Sequence, residues 1–257
     1  MRVRDLVPLV FIGGIVAFIV VQRRSRPAPA PVTVSPSAAT DGEASAPAPP
    51  PAVVVTSSAA AAPAPSRDDA AIRLQLRDAE SNTYVRDMLQ QQNQLLMRWP
   101  ERQVNALRVW IERLSSIPNW DRSYPVVAER VFDEWREAGF PLRFDVMPDS
   151  SGADIQIRWS HQFQGGGQIG VTNKTRDQNG WIVRAEIVIA TFDPRGQPLS
   201  PATIAGVARH EVGHALGLGH SPSPTDVMYP ESTTPVISAV DRATLHLLYT
   251  LPPGVVK

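Results

Sequence analysis

One stretch of the chain, His-Glu-Val-Gly-His-Ala-Leu-Gly-Leu-Gly-His, places three imidazoles and one carboxylate at a spacing that could hold and use a metal ion. His210 and His214 are four residues apart, so on a helix both rings lie on one face and can reach a single ion. Gly217 can adopt a left-handed backbone conformation, which would let the helix end and the chain turn back to deliver His220. Three protein ligands leave the fourth tetrahedral position to water, as in a catalytic zinc site. We therefore predict one catalytic Zn²⁺ held by these three histidines.

Glu211 stands directly after the first of these histidines, where a carboxylate on the helix can reach a water bound to the same ion. A zinc ion lowers the pKa of its water toward neutrality, and a nearby carboxylate can then take the proton. We predict that Glu211 acts as the general base. The alternative is an ordinary solvated carboxylate on the surface of the helix.

The histidine motif needs a helix to carry it, and the surrounding sequence predicts the rest of the scaffold. Ser200 followed by Pro201 is a helix start, with serine as the N-cap and proline at the first helical position. Apolar residues at helical spacing predict two further helices, at 123–138 and 238–249. Short apolar runs bounded by turn residues predict five strands, at 104–111, 142–147, 155–159, 169–172 and 181–190. The predicted fold class is α+β, a twisted mixed five-stranded sheet with three main helices.

The beginning of the chain has the pattern of a membrane-targeting segment. Residues 6–21 form an uncharged, mostly apolar run with arginines on both sides. As a helix this run would reach roughly 24 Å, short of a hydrocarbon core of about 30 Å, but flanking arginines can extend to the interface. We predict that residues 1–26 are an uncleaved membrane anchor that forms a single N-terminal helix. The alternative is a signal segment that is removed, giving a secreted protein.

Between this segment and the histidine motif the composition changes twice. Residues 27–66 are rich in Pro, Ala and Ser with few large apolar side chains, which predicts a disordered linker. Residues 67–98 contain no Pro or Gly and repeat apolar residues among charged ones, which predicts one amphipathic helix. Three roles are open for this helix: packing on the domain, self-association, or occlusion of the active cleft.

Charge and cysteine content narrow the possible partners. The 257 residues include 25 Lys plus Arg and 25 Asp plus Glu. No basic field therefore favours nucleic acid, and no nucleic-acid partner is expected. The chain has no cysteine, which leaves any metal to His, Asp, Glu or water and rules out disulfides. These features do not constrain the oligomeric state.

The residues after the third histidine add a second motif. Ser221 follows that histidine directly, and residues 227–230 read Val-Met-Tyr-Pro. Together with the histidine motif, they resemble the metzincin clan of zinc endopeptidases and, within it, the matrixin family, which carries Leu-Met-Tyr-Pro at this turn. The resemblance implies a matrixin-like zinc metallopeptidase domain at 99–257 and a protein or peptide substrate, hydrolysed by a zinc-bound water with a glutamate base.

The same resemblance assigns roles to individual residues. It implies zinc ligands at His210, His214 and His220 and a general base at Glu211. It also implies that Met228, in the Met-turn, forms a hydrophobic floor under the metal. For Met228 the alternative is an ordinary core methionine.

The turn also departs from relatives in ways that remove expectations. Astacin-like and serralysin-like metzincins have a tyrosine two residues after the methionine, where this chain has Pro230, so Tyr229 is not expected to bind the metal. Animal matrixins continue the turn as Pro-x-Tyr to form a wall of the specificity pocket. Here Glu231 and Ser232 follow, so that pocket shape cannot be carried over. Without cysteine, latency through a thiolate on the zinc is excluded.

Animal matrixins also bind a structural zinc through several histidines and an aspartate, and they bind calcium. His161 is the only histidine before the motif, and a structural zinc site needs four ligands. A structural zinc is therefore not expected, while calcium binding stays open. We predict His161 to be a surface or loop residue, and His246 to be a packed or capping residue of the last helix.

Two classes of function remain. The first is a zinc endopeptidase tethered to a membrane; the second is a non-catalytic envelope binding or scaffold protein that retains a zinc-stabilised fold. Glu211 favours the first, because a purely structural site needs no base. A narrower enzyme alternative is hydrolysis of a non-protein amide such as a wall crosslink. For the endopeptidase, the resemblance to matrixins implies that an edge strand aligns the substrate, and the candidates are 168–172 and 181–190.

Two features of the sequence favour opposite orientations of the anchored protein in the membrane. The slightly heavier positive charge after the apolar run favours a cytosolic catalytic domain. The resemblance to a class of secreted proteases favours the exported side. We expect an exported catalytic domain.

Overall fold

The centre of the protein is a mixed sheet against which the motif-bearing helix packs, in a computed structural model that describes residues 68–101, 106–163, 167–232 and 234–256. The helices are α1 (Asp69–Ala79), α2 (Val85–Gln91), α3 (Ser123–Glu137), α4 (Pro201–Ala215) and α5 (Ala239–Thr250). The strands are β1 (Leu95–Leu96), β2 (Leu107–Ile111), β3 (Phe144–Val146), β4 (Ile155–Ser160), β5 (Gly170–Arg176), β6 (Ile182–Ala190) and β7 (Gly254–Val255).

The predicted anchor at 1–26 and the predicted linker at 27–66 lie outside the described residues. Within the residues that are described, none of the helices has the length and apolar character needed to cross a membrane.

The main sheet has five strands in the order β3-β2-β4-β6-β5. The first four are parallel to one another, and β5 runs antiparallel to β6 at the edge. Strand β4 is buried along most of its length, as expected for a parallel strand covered on both faces. This confirms the α+β class and the mixed five-stranded sheet. Of the two candidate edge strands, the region 168–172 leads into the edge strand β5, whereas 181–190 corresponds to β6 inside the sheet.

Helix α3 lies where the apolar spacing predicts a helix. Tyr124, Ala128, Val131 and Trp135 recur at helical spacing and are all buried. The helix ends before Gly139, whose φ of +105° favours glycine. Its buried face packs against α4, so α3 supports the motif-bearing helix from behind.

Helix α4 begins where the sequence predicts and is held by contacts with α3. The Ser200 side chain accepts a hydrogen bond from the Thr203 N–H at 3.1 Å, and proline fills the first helical position. Arg209, almost fully buried, pairs with Glu134 of α3, and the Trp135 ring nitrogen donates to the Arg209 carbonyl at 3.0 Å. These contacts fix α4 against α3 along the motif.

The prediction of a single helix over 67–98 is wrong, because α1 and α2 are separate helices followed by β1. The Asn82 N–H and the Thr83 hydroxyl both donate to the Ala79 carbonyl, which closes a turn after α1. Asn93 and Gln94 have positive φ angles of 53° and 59° and end α2. Because this region has no Pro or Gly, the usual helix-breaking residues do not mark these breaks. Polar side chains and residues in the left-handed backbone conformation make them instead.

Residues 68–98 pack on the rest of the domain, which is the first of the three roles considered for them. Ile72, Leu76, Met88 and other apolar residues of this region belong to the same hydrophobic core as the sheet and α4. Strand β1 also pairs antiparallel with β7 near the end of the chain. The boundary predicted after residue 98 therefore falls within one core.

Candidate metal centre

The last turns of α4 place two imidazoles side by side. His210 and His214 have ring centroids 4.6 Å apart, with the ring planes nearly perpendicular. His210 is 1 % exposed and His214 is 9 % exposed. Two adjacent, nearly buried rings on one helix face are what the four-residue spacing predicts.

The third imidazole comes from the ligand turn, residues 216–220, which follows α4. Gly217 has a φ of +111°, and a Cβ at this position would overlap the Met97 carbonyl oxygen. Only glycine therefore fits, and the chain reverses to bring His220 back. The ring of His220 lies with its centroid 5.4 Å from that of His210 and 4.8 Å from that of His214.

The nitrogen atoms of the three rings converge on one point. One ligand nitrogen from each of His210, His214 and His220 lies within 4.8 Å of the others. The Nε2 atoms of His214 and His220 are 3.2 Å apart. Two nitrogens bound to one tetrahedral zinc at the usual distance would be about 3.3 Å apart. The spacing of the imidazoles therefore fits a zinc ion.

Hydrogen bonds orient the two helical imidazoles. The Nδ1–H of His210 donates to the Val227 carbonyl at 2.8 Å, and that of His214 donates to the Leu218 carbonyl at 2.9 Å. This leaves Nε2 of each ring as the lone-pair nitrogen that can bind a metal. Burial lowers the pKa of His210 to about 3 and that of His220 to about 4, and it also lowers the pKa of His214. All three rings are therefore neutral near pH 7, as metal binding requires.

Glu211 points away from solvent toward the edge strand. It is 1 % exposed, and its Oε2 accepts a hydrogen bond from the Thr172 hydroxyl of β5 at 2.6 Å. A Cβ at Gly170 would lie only 2.5 Å from Oε1, so the glycine makes room for the carboxylate. Burial raises the pKa of Glu211 to about 7, against the opposing effects of the Thr172 hydrogen bond and the Lys174 charge. The alternative of an ordinary solvated carboxylate is wrong.

Met228 packs against α4 at Gly213, which lies between the two helical histidines in sequence. It is fully buried, and a Cβ at Gly213 would overlap its sulfur and approach the Trp135 ring to 2.9 Å. The N–H of Ser221 donates to the Met228 carbonyl at 2.9 Å, which ties this segment to the end of the ligand turn. Met228 also belongs to the main core, as the alternative of an ordinary core methionine expects.

The family model of the matrixins matches residues 121–250, which contain α3, α4, α5, the ligand turn and Met228. The chain belongs to the matrixin family. The curated relatives include Metalloendoproteinase 1-MMP of Arabidopsis thaliana, 32% identical over 123 residues, which cover 45% of this chain and 33% of the relative. Metalloendoproteinase 4-MMP of the same plant is 33% identical over 112 residues, which cover 40% of this chain and 32% of the relative.

The chain thus spans about a third of the length of the curated relatives it matches. Residues 68–120 of this matrixin precede the family match. Helices α1 and α2 and strands β1 and β2 therefore lie before the residues that the family model matches.

Four side chains that touch this matrixin site or its supports were not predicted from the sequence. Thr172 bonds to Glu211, and Lys174, half-buried two residues further along β5, acts on the same carboxylate with its charge. Gln91 of α2 bonds to the backbone of His220. Asp241 of α5, in the capping-box spacing after Ser238, accepts the N–H groups of Val227 and Met228 in what we call the Met228 segment, residues 227–230. That spacing was the one available signal, because the other three contacts join parts of the chain that are far apart.

The remaining histidines of this matrixin lie away from the cluster. His161 is exposed after β4, with its ring centroid 4.6 Å from that of Phe192, as a loop residue would be. His246 is exposed on α5, so it is not packed in the core, the first of the two roles predicted for it. Among the residues that the structure describes, the three imidazoles of the motif are the one group of three or more His, Asp or Glu side chains placed to share an ion.

Proposed function

We propose that this protein is a zinc-dependent endopeptidase that hydrolyses peptide bonds of proteins, with His210, His214 and His220 as zinc ligands and Glu211 as general base. The observation that carries the proposal is a buried carboxylate beside three converging neutral imidazoles. Burying a carboxylate that has few hydrogen-bond partners costs free energy of folding. Its presence beside three histidines that would leave one zinc coordination position open therefore favours a catalytic role. Membership of the matrixin family supports the same conclusion.

Each residue has a distinct task in this mechanism. When bound, zinc polarises the scissile carbonyl and lowers the pKa of the attacking water. Glu211 accepts the proton of that water and returns it to the leaving amine. The Thr172 hydroxyl donates to Oε2 and so orients the carboxylate, leaving Oε1 to carry the proton. A pKa of about 7 suits a group that must both take and release a proton near neutrality.

Strand β5 supplies the edge along which a substrate would lie. It pairs on one side with β6 and has no strand partner on the other side among the described residues. An extended peptide can add to such an edge by main-chain hydrogen bonds. Because Thr172 of the same strand bonds to Glu211, a peptide paired with β5 would pass beside the general base. Loss of strand-like order of an inhibitor along β5 in a complex would contradict this alignment.

Replacing the base tests the proposed function. Glu211→Ala and Glu211→Gln are expected to bind one zinc per chain and remain folded, while cleavage of casein falls by about 10²–10⁴-fold, the usual contribution of a general base. Zinc content, circular dichroism and a casein digestion assay measure the three properties.

Two results would count against the proposal. Wild-type rates in both Glu211 variants would remove the carboxylate from the mechanism. Folded wild-type protein with one bound zinc that cleaves no protein substrate would favour the non-catalytic scaffold, or hydrolysis of a non-protein amide.

We further propose that the enzyme is exported and tethered to a membrane by a helix at residues 6–21. The support is the uncharged apolar run with arginines on both sides, followed by the Pro/Ala-rich stretch 27–66. Carbonate washing of membranes should leave the full chain in the pellet, and protease added from the exported side should digest it. A mature N-terminus beyond residue 26 in the soluble fraction would show signal cleavage instead.

A further inference from the structure

The ligand turn is held by a part of the chain that precedes the matrixin match. We call residues 84–99 the N-terminal segment; it contains α2 and β1. Its contacts are distributed along the end of α4 and along the ligand turn. The Gln92 amide donates to the Gly217 carbonyl at 3.2 Å, and the Trp99 ring nitrogen donates to the Ala215 carbonyl at 2.9 Å. The N-terminal segment therefore forms a wall against which the turn is built.

The closest of these contacts is at the third histidine itself. The Oε1 of Gln91 accepts the His220 N–H at 2.8 Å, and its Nε2 donates to the His220 carbonyl at 3.0 Å. One side-chain amide thus binds both backbone groups of one residue, as a neighbouring strand would. Because both peptide planes that flank the His220 Cα are held, the direction of its Cα–Cβ bond is fixed.

Gly219 shows how closely α2 approaches the turn. A Cβ at this glycine would lie 2.8 Å from Cγ of the buried Met88 and 3.2 Å from Oε1 of Gln91. The packing leaves little room for another path of the backbone at this point. Met88 and Gln91 belong to the same helix, so an apolar contact and a polar contact act together.

His220 differs from the two helical histidines in how its ring is oriented. The rings of His210 and His214 each donate from Nδ1 to a backbone carbonyl. Among the described residues, no hydrogen bond reaches Nδ1 of His220, whose ring lies beside the other two imidazoles. Its ring direction therefore depends on how the backbone is held.

We propose that Gln91 is a positioning residue for the third zinc ligand, which it aims by holding both backbone groups of His220. The inference rests on the proposed zinc site. It adds to that site a supporting residue, Gln91, which lies outside the family match.

The test compares neighbouring glutamines in the full-length protein. Gln91→Met keeps the length and bulk of the side chain but removes both hydrogen bonds, and Gln91→Glu keeps an acceptor but loses the donor. Gln90→Met is the matched control, because Gln90 is exposed on the same helix and has no hydrogen bond to the ligand turn. Zinc affinity is measured by chelator competition, and ligand geometry by the visible spectrum of the Co²⁺-substituted protein.

Gln91→Met is expected to weaken zinc binding by about 10–100-fold, the usual effect of removing a group that orients a metal ligand. Its Co²⁺ spectrum should change, Gln91→Glu should lie between it and wild type, and Gln90→Met should match wild type. The urea unfolding midpoint of the zinc-free protein should shift little in any variant.

Wild-type zinc affinity and an unchanged Co²⁺ spectrum in Gln91→Met would overturn the proposal. An equal loss of zinc affinity in Gln90→Met would overturn the proposal as well. The loss would then come from a general change in α2 and not from the contact between Gln91 and His220. If wild-type protein itself bound no zinc, the proposed function would fail first, which distinguishes the two failures.

Discussion

The two halves of the candidate zinc site are held by different means. His210 and His214 lie on α4, whose backbone hydrogen bonds fix them relative to each other, and their Nδ1 atoms donate to nearby carbonyls. His220 lies on the ligand turn, which is outside any helix or strand and is held by side chains of the N-terminal segment. The first half lies within the family match, as does the turn, but the side chains that bond to the backbone of Gly217 and His220 come from outside it.

The difference shows how much a spacing motif can specify alone. Four-residue spacing on a helix places two imidazoles together with no help from distant residues. The third imidazole needs a reversal at Gly217 and then a wall that fixes the direction of the returning chain. Breaking the supports of each half should therefore have separable effects on stability and on zinc binding.

The largest effect is expected at Asp241, which joins Val227, whose carbonyl holds the His210 ring, to the N-terminal segment, which holds His220. Its carboxylate accepts the N–H groups of Val227 and Ser238 at 2.8 and 3.0 Å, and the Tyr84 hydroxyl of the N-terminal segment at 3.2 Å. Asp241→Ala leaves the Val227 N–H and the Tyr84 hydroxyl buried and unpaired, and each costs about 1–3 kcal/mol. The free energy of unfolding in urea should fall by about 3 kcal/mol or more.

Asp241→Asn is the matched variant for this prediction. It keeps one acceptor oxygen and the shape of the side chain, so it should retain part of the stability that Asp241→Ala loses. Equal unfolding free energies for wild type and Asp241→Ala would show that the carboxylate does not support the Met228 segment.

The sequence predicted the helix half of the site more completely than the turn half. Ser200 and Pro201 mark the start of α4, and the spacing of its histidines places them on one face, because these are local properties of a helix. Gly217 correctly predicted the reversal. Gln91 could not be predicted, because its partner is 129 residues away and an exposed glutamine on a short helix has no distinguishing pattern.

The same distinction explains the error over residues 67–98. Hydrophobic spacing correctly indicated that the region packs on the core through residues such as Ile72 and Leu76. The break between α1 and α2 is closed by local bonds to the Ala79 carbonyl and also has a tertiary contact, since the Tyr84 N–H donates to the Thr244 hydroxyl of α5 at 3.2 Å. The local sequence pattern carries no information about a partner in α5. The sequence therefore predicted that this region is helical, but it did not predict that the helix is interrupted.

An intermediate effect is expected at the reversal itself. Gly217→Ala places a Cβ at a φ of +111° and against the Met97 carbonyl oxygen, so it combines backbone strain with a clash. Gly196→Ala is the matched control, because Gly196 has a φ of +78° but no heavy atom within 4 Å of the added Cβ. We expect losses of unfolding free energy of about 2–3 kcal/mol for Gly217→Ala and about 1 kcal/mol for Gly196→Ala.

A measurement of zinc affinity should distinguish Gly217→Ala from Gly196→Ala. Only Gly217→Ala should weaken zinc binding in chelator competition, because Gly196 lies in the turn before α4 and has no contact with the ligand turn. Equal losses of stability and unchanged zinc affinity in both variants would mean that strain alone matters and that the contact with the N-terminal segment does not.

The smallest effect is expected at the other end of the ligand turn. The Tyr249 hydroxyl of α5 donates to the Leu216 carbonyl at 2.8 Å and accepts from the Trp99 N–H at 3.4 Å. Tyr249→Phe removes only this hydroxyl and should lower the free energy of unfolding by about 1 kcal/mol. Because Leu216 precedes the reversal at Gly217, its loss of support should leave the direction of the His220 ring, and hence zinc affinity, unchanged. A fall in zinc affinity as large as that of Gln91→Met would show that the turn moves as one rigid unit, with no separate control at His220.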